Sequence, residues 1–249
     1  MLSAGVIAWI GAVFLAAGLV KGVVGMGLPT VAMGLLAVTM PPAQAAALLL
    51  IPSLVTNLWQ LATGPSFGGL CKRLWTMMAG IVLGTVAGAG LLTGTHTALA
   101  SAGLGAALVL YALVGLARAG FTTPARHEAW ASPLVGLATG LVTGGTGVFV
   151  IPAVPYLQSL RLEREDLIQA LGLSFTVSTA ALAIGLFRTG AFASPTTQLA
   201  GSVAALAPAL AGMFTGQALR QRMSVETFRT VFFVGLLALG LYLAGEVVL

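Results

Sequence analysis

The sequence predicts an all-α polytopic membrane protein of two inverted repeats, each a glycine-broken re-entrant helix pair plus three transmembrane helices. Three observations predict it: the composition, an internal repeat and the placement of the cations. The 249-residue chain is 58% hydrophobic and 7% charged, whereas soluble domains are about 45–50% apolar and about 25% charged. This composition excludes a soluble enzyme, a disordered chain and a nucleic-acid-binding module.

The internal repeat centres on two glycine-rich segments. Residues 18–29, GLVKGVVGMGLP, align with residues 140–147, GLVTGGTG, and Pro29 aligns with Pro152 after one extra residue. The later matches keep the same order along the chain: Gln44 with Gln169, Ser53 with Ser178, Phe67 with Phe192, Gly84 with Gly212 and Gly88 with Gly216. Ordered matches of this kind indicate a duplication. We therefore expect a first transmembrane repeat over 1–120, a cytoplasmic loop over 121–131 and a second transmembrane repeat over 132–249.

Each repeat divides into five apolar segments. The first segment ends at the glycine cluster, and the second is short. A segment of about ten to twelve residues covers about 15–18 Å as a helix and cannot cross a hydrocarbon core about 30 Å thick. The other three segments are long enough to cross. The predicted bounds are 3–21, 29–41, 43–63, 73–93 and 97–118 in the first repeat, and 132–144, 151–160, 166–187, 196–219 and 226–247 in the second.

The cations indicate how these segments are oriented. If each broken pair enters and leaves the membrane on one side, nine of the eleven cations share a side, Arg188 lies opposite, and Lys21 lies at the hairpin tip. A single discontinuous span would instead split the remaining ten cations five against five. Because cytoplasmic loops are enriched in Lys and Arg, we expect the hairpin arrangement in the inner membrane, with both termini on the outer side. The nine cations are Lys72, Arg73, Arg118, Arg126, Arg161, Arg164, Arg220, Arg222 and Arg229.

The two glycine-rich breaks predict a substrate site. Irregular backbone at membrane depth must be buried in protein or line a polar cavity, and paired breaks in inverted halves are typical of transporter binding sites. Pro29 and Pro152 suit the first position of the short helices that follow. Glycines can adopt positive φ and let backbone N–H groups approach a ligand, and two facing half-helix N-termini attract an anion. The expected site residues here are Gly22, Gly25, Gly27, Pro29, Gly144, Gly145, Thr146, Gly147 and Pro152.

Glycines also allow helices to pack closely in membranes. We favour this packing role for the isolated pairs Gly84 and Gly88 and Gly212 and Gly216. At the two matched breaks we favour ligand binding, because close packing does not require glycine clusters followed by proline at equivalent places.

Lys21 is the candidate charge of the site. An ionisable side chain within a membrane segment is costly and indicates function, with snorkelling to the interface as the alternative. The six acidic residues fall in loops, at helix ends or near the C-terminus. A lysine without a carboxylate in mid-membrane favours an anionic substrate, because the anion itself would complete the ion pair.

Four polar side chains in the later helices are further candidates for anion contact: Asn57, Gln60, Ser174 and Ser178. Amide and hydroxyl donors suit an oxyanion. They bond to the helix backbone or to a neighbouring helix equally well, so both roles stay open from the sequence.

The runs GLVKGVVGMGLP (18–29), NLWQ (57–60) and GGTG (144–147) followed by Pro152 resemble the TauE/SafE family of bacterial membrane transporters. The resemblance covers essentially the whole chain, including its duplicated halves. It implies an integral inner-membrane protein that moves sulfite, organosulfonates or related sulfur-containing anions. The chain departs from the denser glycine run of the family at Val23, Val24, Val148 and Phe149.

We therefore expect a secondary transporter that moves a small anion by alternating access, with the site between the two breaks. The alternatives are a membrane assembly partner that transports nothing and an anion channel. We expect no enzymatic activity, cofactor, metal or nucleic acid. The expected partners are the anion, the lipid bilayer and a second copy of the chain in a homodimer.

Overall fold

The computed structural model describes residues 3–93, 97–117, 122–191, 195–220, 222 and 224–245. Within these ranges the chain forms helices and contains no strand. The ten helices correspond one for one to the predicted segments. They are α1 (Ala4–Val24), α2 (Leu28–Ala37), α3 (Pro42–Ala62), α4 (Phe67–Thr93), α5 (Thr97–Ala117), α6 (Ala125–Thr146), α7 (Ala153–Ser159), α8 (Arg164–Arg188), α9 (Pro195–Arg220) and α10 (Val225–Gly245).

Seven of these helices are long and apolar enough to cross a membrane, namely α1, α3, α4, α5, α8, α9 and α10. The chain is an integral membrane protein. Helices α2 and α7 have ten and seven residues, so they cover only about 15 Å and about 10 Å and cannot cross. The prediction of one short helix in each half is therefore confirmed.

The breaks follow from backbone conformations that favour glycine. Gly25 and Gly147 end α1 and α6 at φ values of 85° and 72°, and Gly27 precedes α2 at 103°. The N–H of Gly25 returns to the carbonyl of Lys21, as in a left-handed C-terminal cap. Three of the predicted glycines therefore use the freedom that the sequence suggested. Gly144 and Gly145 do not, because they lie within α6.

Several boundaries differ from their predicted positions, most of all the starts of α4, at Phe67 rather than residue 73, and of α6. Helix α6 begins at Ala125 rather than at residue 132, so most of the predicted 121–131 loop is helical. Pro124 can precede a helix without losing a bond, and Glu128 in the first turn pairs with Arg73 of α4, which stabilises this extra length. Pro152 is the residue before α7 rather than its first residue, so that prediction was wrong by one position. Pro29 is the second residue of α2, within its first turn, so its prediction was also wrong by one position.

Each broken pair folds back on itself as a hairpin. The indole N–H of Trp9 donates to the hydroxyl of Thr39 just beyond α2 (3.1 Å), which returns the chain to the starting side of α1. In the second half, the hydroxyls of Ser132 and Tyr156 lie 2.6 Å apart. The hydroxyls of Thr123 and Ser159 are also 2.6 Å apart, so α7 runs back toward the start of α6.

Glycines allow two helix pairs to pack backbone against backbone. A Cβ on Gly18 of α1 would lie 2.1 Å from the carbonyl oxygen of Ala209 in α9, and one on Gly216 would lie 2.3 Å from that of Leu19. Helices α4 and α6 meet in the same way, since a Cβ on Gly84 would lie 2.3 Å from the carbonyl oxygen of Leu137. Both pairs run parallel. The packing role expected for Gly84 and Gly216 agrees with these contacts.

Two other helix pairs run antiparallel and join corresponding segments of the two halves. Helix α3 packs on α8, where Gln60 donates to the carbonyl of Ile168 (2.9 Å) and Gln169 donates to that of Leu61 (2.8 Å). Helix α5 packs on α10, where Arg229 donates to the carbonyl of Gly115 (3.1 Å). The α3–α8 pair lies at the centre, and two-thirds of the best apolar stretch in each of these helices is buried.

One end of the bundle gathers the ends of α3, α5 and α9 and the starts of α4, α6, α8 and α10. Contacts across it include the Arg73–Glu128 pair (2.6 Å) and a hydrogen bond from Arg161 to Thr122 (3.0 Å). We call it the cationic end, defined by Lys72, Arg73, Arg126, Arg161, Arg164, Arg220, Arg222 and Arg229. Arg118, one of the nine cations predicted on one side, and Phe192, which the repeat matches with Phe67, lie outside the described residues.

Candidate functional site

Lys21 lies in the last turn of α1, directly before the first break, and is buried with 4% of its surface exposed. Its Nζ donates to the hydroxyl of Thr56 (3.1 Å) and to the Oδ1 atom of Asn57. Both partners are neutral and lie on α3. Because an ammonium in the protein interior requires compensation, this pair of oxygens provides part of it without supplying a negative charge.

The hydrogen bonds around Lys21 have a defined direction. The hydroxyl of Thr56 donates to the carbonyl of Pro52 (2.7 Å), so it presents a lone pair to Lys21. The amide of Asn57 donates across to the hydroxyl of Thr179 on α8 (3.5 Å), which in turn donates to the carbonyl of Phe175 (2.7 Å). Asn57 is therefore fixed with its oxygen toward Lys21, and the central α3–α8 pair positions the lysine.

A protonated lysine has three N–H donors. Thr56 and Asn57 accept two of them, which leaves one donor for a ligand on the side of Lys21 that faces the cavity. The geometry therefore suits a small anion that accepts this hydrogen bond and supplies the missing charge.

The cavity beside Lys21 has a volume of about 520 Å³. Lys21, Gly22 and Gly25 line it from α1, and a Cβ added to Gly25 would meet no atom within 4 Å. The remaining lining comes from the ends of α3 and α9 and the start of α8: Thr56, Trp59, Gln60, Thr63, Arg164, Ile168, Met213, Gln217 and Arg220. Since these helix ends belong to the cationic end, the cavity opens there.

The charged side chains that line this cavity are all cationic. Arg164 and Arg220 line it together with Lys21, and the described lining contains no carboxylate. The nearest acids along the chain, Glu165 and Asp166 in the first turn of α8, do not line it. A concave site lined by cations of one sign concentrates anions.

The structure brings five of the predicted site residues together here. Lys21, Gly22, Gly25 and Gln60 line the cavity, and Asn57 binds Lys21. Gly22 also permits close packing, because a Cβ there would lie 2.2 Å from the carbonyl oxygen of Met213.

The other predicted residues lie elsewhere. Next to the first break, Gly27 packs against Phe232, and Pro29 is buried in the first turn of α2. In the second half, Gly144 packs on the backbone of α4, and the space beside Gly147 is filled by Met33. The described lining of the cavity also omits Gly145, Thr146, Pro152, Ser174 and Ser178.

Ser174 and Ser178 are fully buried in α8, and their hydroxyl oxygens have no hydrogen-bond partner. Met33 fills the space beside Gly147 at the second break, whereas Gly25 at the first break borders open space. The two half-helix N-termini do not jointly enclose the described cavity.

Three further residues line the cavity that were not among the predicted site residues: Arg164, Gln217 and Arg220. Arg164 and Arg220 appeared only as loop cations, although both stand at helix ends that converge on the first break. The matched glycines Gly212 and Gly216 carried the missing signal, since their packing against α1 places Gln217 and Arg220 beside Lys21.

A sequence profile of the family described as Sulfite exporter TauE/SafE matches residues 10–243, nearly the whole chain. The chain belongs to this family. No curated protein and no solved structure matches the chain. The resemblance seen in the glycine-rich runs is thereby confirmed, and membership of the TauE/SafE family indicates a membrane transporter for sulfite or a related sulfur-containing anion.

Proposed function

We propose that this TauE/SafE member is a secondary transporter that moves sulfite, an organosulfonate or a related sulfur-containing anion across the bacterial inner membrane. The anion binds to Lys21 within the cavity lined by Arg164 and Arg220. The observation that carries this proposal is the burial of Lys21 on two neutral acceptors, in a cavity whose described lining contains no carboxylate. An anion there would pair with Lys21 and accept its third hydrogen bond.

Alternating access is supported by the way the two halves pack. Corresponding helices α3 and α8 run antiparallel, as do α5 and α10, which is the relation expected of inverted repeats. The parallel pair α1–α9 has its counterpart in α6–α4, with the two halves exchanged. In this arrangement the open cavity and its filled counterpart beside Gly147 represent one of two access states.

The positive-inside rule supports the orientation. With the cationic end in the cytoplasm, the hairpin of α1 and α2 enters and leaves on the outer side. Both termini then lie outside. The cavity in this state faces the cytoplasm, and the anion enters or leaves past Arg164 and Arg220.

Counterflow in proteoliposomes tests the proposal. Liposomes are loaded with one unlabelled anion at a time, chosen from sulfite, thiosulfate, sulfonates and carboxylates. They should take up the same anion in labelled form against the concentration gradient of the label. Lys21→Gln removes the central charge and should reduce this exchange at least tenfold, since a charge-assisted hydrogen bond contributes about 1.5–3 kcal/mol. Lys72→Gln makes the same change at an exposed lysine of the cationic end and should exchange like the wild type.

Exchange of no anion in the panel, or full exchange by Lys21→Gln, would contradict the proposal. Conductance that does not saturate and shows no counterflow would indicate a channel. An assembly partner that transports nothing would tolerate a bulky residue at Gly25. The proposal instead expects Gly25→Leu to abolish exchange, because the leucine side chain would enter the cavity and strain a backbone at φ 85°.

A further inference from the structure

Lys21 is held in a way that suits two protonation states. A protonated lysine has three N–H donors, and a neutral amine has two N–H donors and one lone pair. The structure provides two acceptors, Thr56 Oγ1 and Asn57 Oδ1. A neutral amine can satisfy both of them with its two N–H groups, and the lone pair then faces the cavity.

The surroundings of Lys21 determine which state is stable. Helices α2 and α3 carry no ionisable side chain, α9 contributes Arg220, and α8 contributes Arg164. Helix α10 also packs near α1 and carries Glu226, Arg229 and Tyr242, of which none lines the cavity. Arginine stays protonated in proteins. Glu165 and Asp166 of α8 do not line the cavity, so without an anion an ammonium at Lys21 is buried beside a cavity that two arginines and no described carboxylate line.

A bound anion reverses this balance. It accepts the third N–H and pairs with the ammonium, so the loaded site favours the protonated lysine. The empty site favours the neutral amine, because burying an uncompensated charge is costly. Anion binding and proton binding are then linked, and by linkage each promotes the other.

We infer that Lys21 binds one proton together with each anion, so that transport is coupled to protons. This inference rests on the proposed function. On one side of the membrane the neutral amine takes up a proton from water as the anion binds. The carrier changes its access, the anion leaves, and the ammonium returns the proton to water on the other side. One proton and one anion cross in each cycle, and the empty carrier returns with Lys21 neutral.

The test uses wild-type protein in liposomes that contain a pH-sensitive dye. The transported anion should be one that stays fully ionised, such as a sulfonate or thiosulfate, because sulfite itself exchanges protons with water. Net entry of the anion should acidify the lumen. An imposed pH difference should drive accumulation of a monovalent sulfonate by about tenfold per unit, and a clamp of the membrane potential with potassium and valinomycin should leave that accumulation unchanged, because a monoanion and a proton carry no net charge.

Exchange and net transport separate the two hypotheses. Counterflow occurs between loaded states and needs no release of the proton, so it tests the proposed function alone. Net entry of the anion without luminal acidification, or accumulation that follows the membrane potential instead of the pH difference, would overturn proton coupling and leave the transporter assignment intact. Absence of counterflow for every anion would overturn both.

Lys21→Arg adds a second readout because arginine keeps its proton. Whatever exchange this variant retains, its accumulation driven by the pH difference should fall at least tenfold relative to its own counterflow, while Lys72→Arg should keep the wild-type ratio of the two. Accumulation at the wild-type level by Lys21→Arg would contradict the inference. The wild-type flux decides the question even if Lys21→Arg does not fold.

Discussion

Asn57 contacts Lys21 through a neutral oxygen, and this neutrality leaves the lysine available for an anion. The side chain is fully buried and is held from the other side by Thr179. An aspartate has nearly the same shape but would supply the counter-ion permanently. The identity of residue 57 therefore bears directly on anion affinity.

Asn57→Asp should raise the KM for anion exchange about fivefold to thirtyfold. The new carboxylate would pair with Lys21, and a hydrogen bond between charged groups exceeds a neutral one by about 1–2 kcal/mol, so the anion must displace it. The concentration dependence of counterflow measures this change. Gln44→Glu is the matched control, since it makes the same chemical change at an exposed amide far from the cavity. An unchanged KM in Asn57→Asp would show that the anion does not bind at Lys21.

Arg164 and Arg220 should act mainly by attracting the anion to the cavity. Arg164→Gln or Arg220→Gln should lower uptake at low anion concentration several-fold and flatten its dependence on ionic strength, because electrostatic attraction weakens with salt. The maximal rate should change less. Arg126→Gln alters an exposed arginine of the same end and should leave the salt dependence as it is. Equal effects of all three variants would contradict a role specific to the cavity.

At the scale of single helices, the glycine contacts determine which pairs can form. Helices α4 and α6 approach so closely that Gly84 has no room for a side chain. Gly90 lies six residues further along α4 and has nothing within 4 Å of its potential Cβ. The two glycines thus provide a comparison within one helix.

Gly84→Ala should destabilise the folded protein, whereas Gly90→Ala should leave it unchanged or slightly stabilise it, because alanine favours helix by about 1 kcal/mol over glycine. In Gly84→Ala the new methyl group would lie 2.3 Å from a backbone oxygen, so α4 and α6 must separate. Thermal unfolding in detergent, followed by fluorescence or by size-exclusion chromatography, measures the difference. Similar melting temperatures for both variants would contradict the close packing.

Helix α3 depends on a neighbouring helix at Pro52, where its own backbone hydrogen bonding is interrupted. Proline has no N–H for the carbonyl of Leu48, four residues earlier, and Ser202 of α9 donates its hydroxyl to that carbonyl instead (2.8 Å). The same hydroxyl accepts the N–H of Ile51 (3.0 Å). These two hydrogen bonds of Ser202 lie about one to two turns before Thr56 and Asn57, so they support the part of α3 that binds Lys21.

Ser202→Ala should destabilise the protein by about 1–3 kcal/mol, the usual cost of leaving buried polar groups unpaired. Pro52→Ala restores an N–H for Leu48 and should make the loss of Ser202 less harmful. A double-mutant cycle of melting temperatures in detergent measures this coupling. Strictly additive effects of the two substitutions would show that Ser202 does not compensate for Pro52.

The order of the helices could be predicted from the sequence because apolar runs, glycines and prolines are local signals. Pro29 and Gly27 marked the start of α2 within a residue. The start of α6 was missed, because its first turn depends on a pairing between Glu128 and Arg73 of another helix. Lys21 and Asn57 were identified as polar groups at membrane depth. Arg164 and Arg220 were not, because their place in the cavity depends on how α8 and α9 pack around the first break.

At the scale of the whole molecule, the two halves aligned by the sequence matches differ in side chains at matching positions. The glycine runs align at an offset of 122 residues, which pairs Lys21 with Thr143 in the sequence. Gln44 and Gln169 align at an offset of 125 residues, which pairs Asn57 with Leu182. Leu182 is fully buried. The polar cavity therefore borders the first break, and the matching region beside the second break is filled by protein.

Gln217 and Ala89 form one of these matched pairs, at the offset that aligns Gly216 with Gly88. Gln217 lines the open cavity, whereas Ala89 is 1% exposed and lies where a Cβ on Gly185 would meet it at 2.7 Å. Starting from a Cys71→Ala protein, Gln217→Cys should react with a membrane-impermeant maleimide in inside-out vesicles and not in intact cells. Ala89→Cys should react in neither. The transported anion should slow labelling of Gln217→Cys, because the anion and the maleimide occupy the same cavity. Labelling of Gln217→Cys from the outer side alone would contradict the cytoplasmic placement of the cationic end.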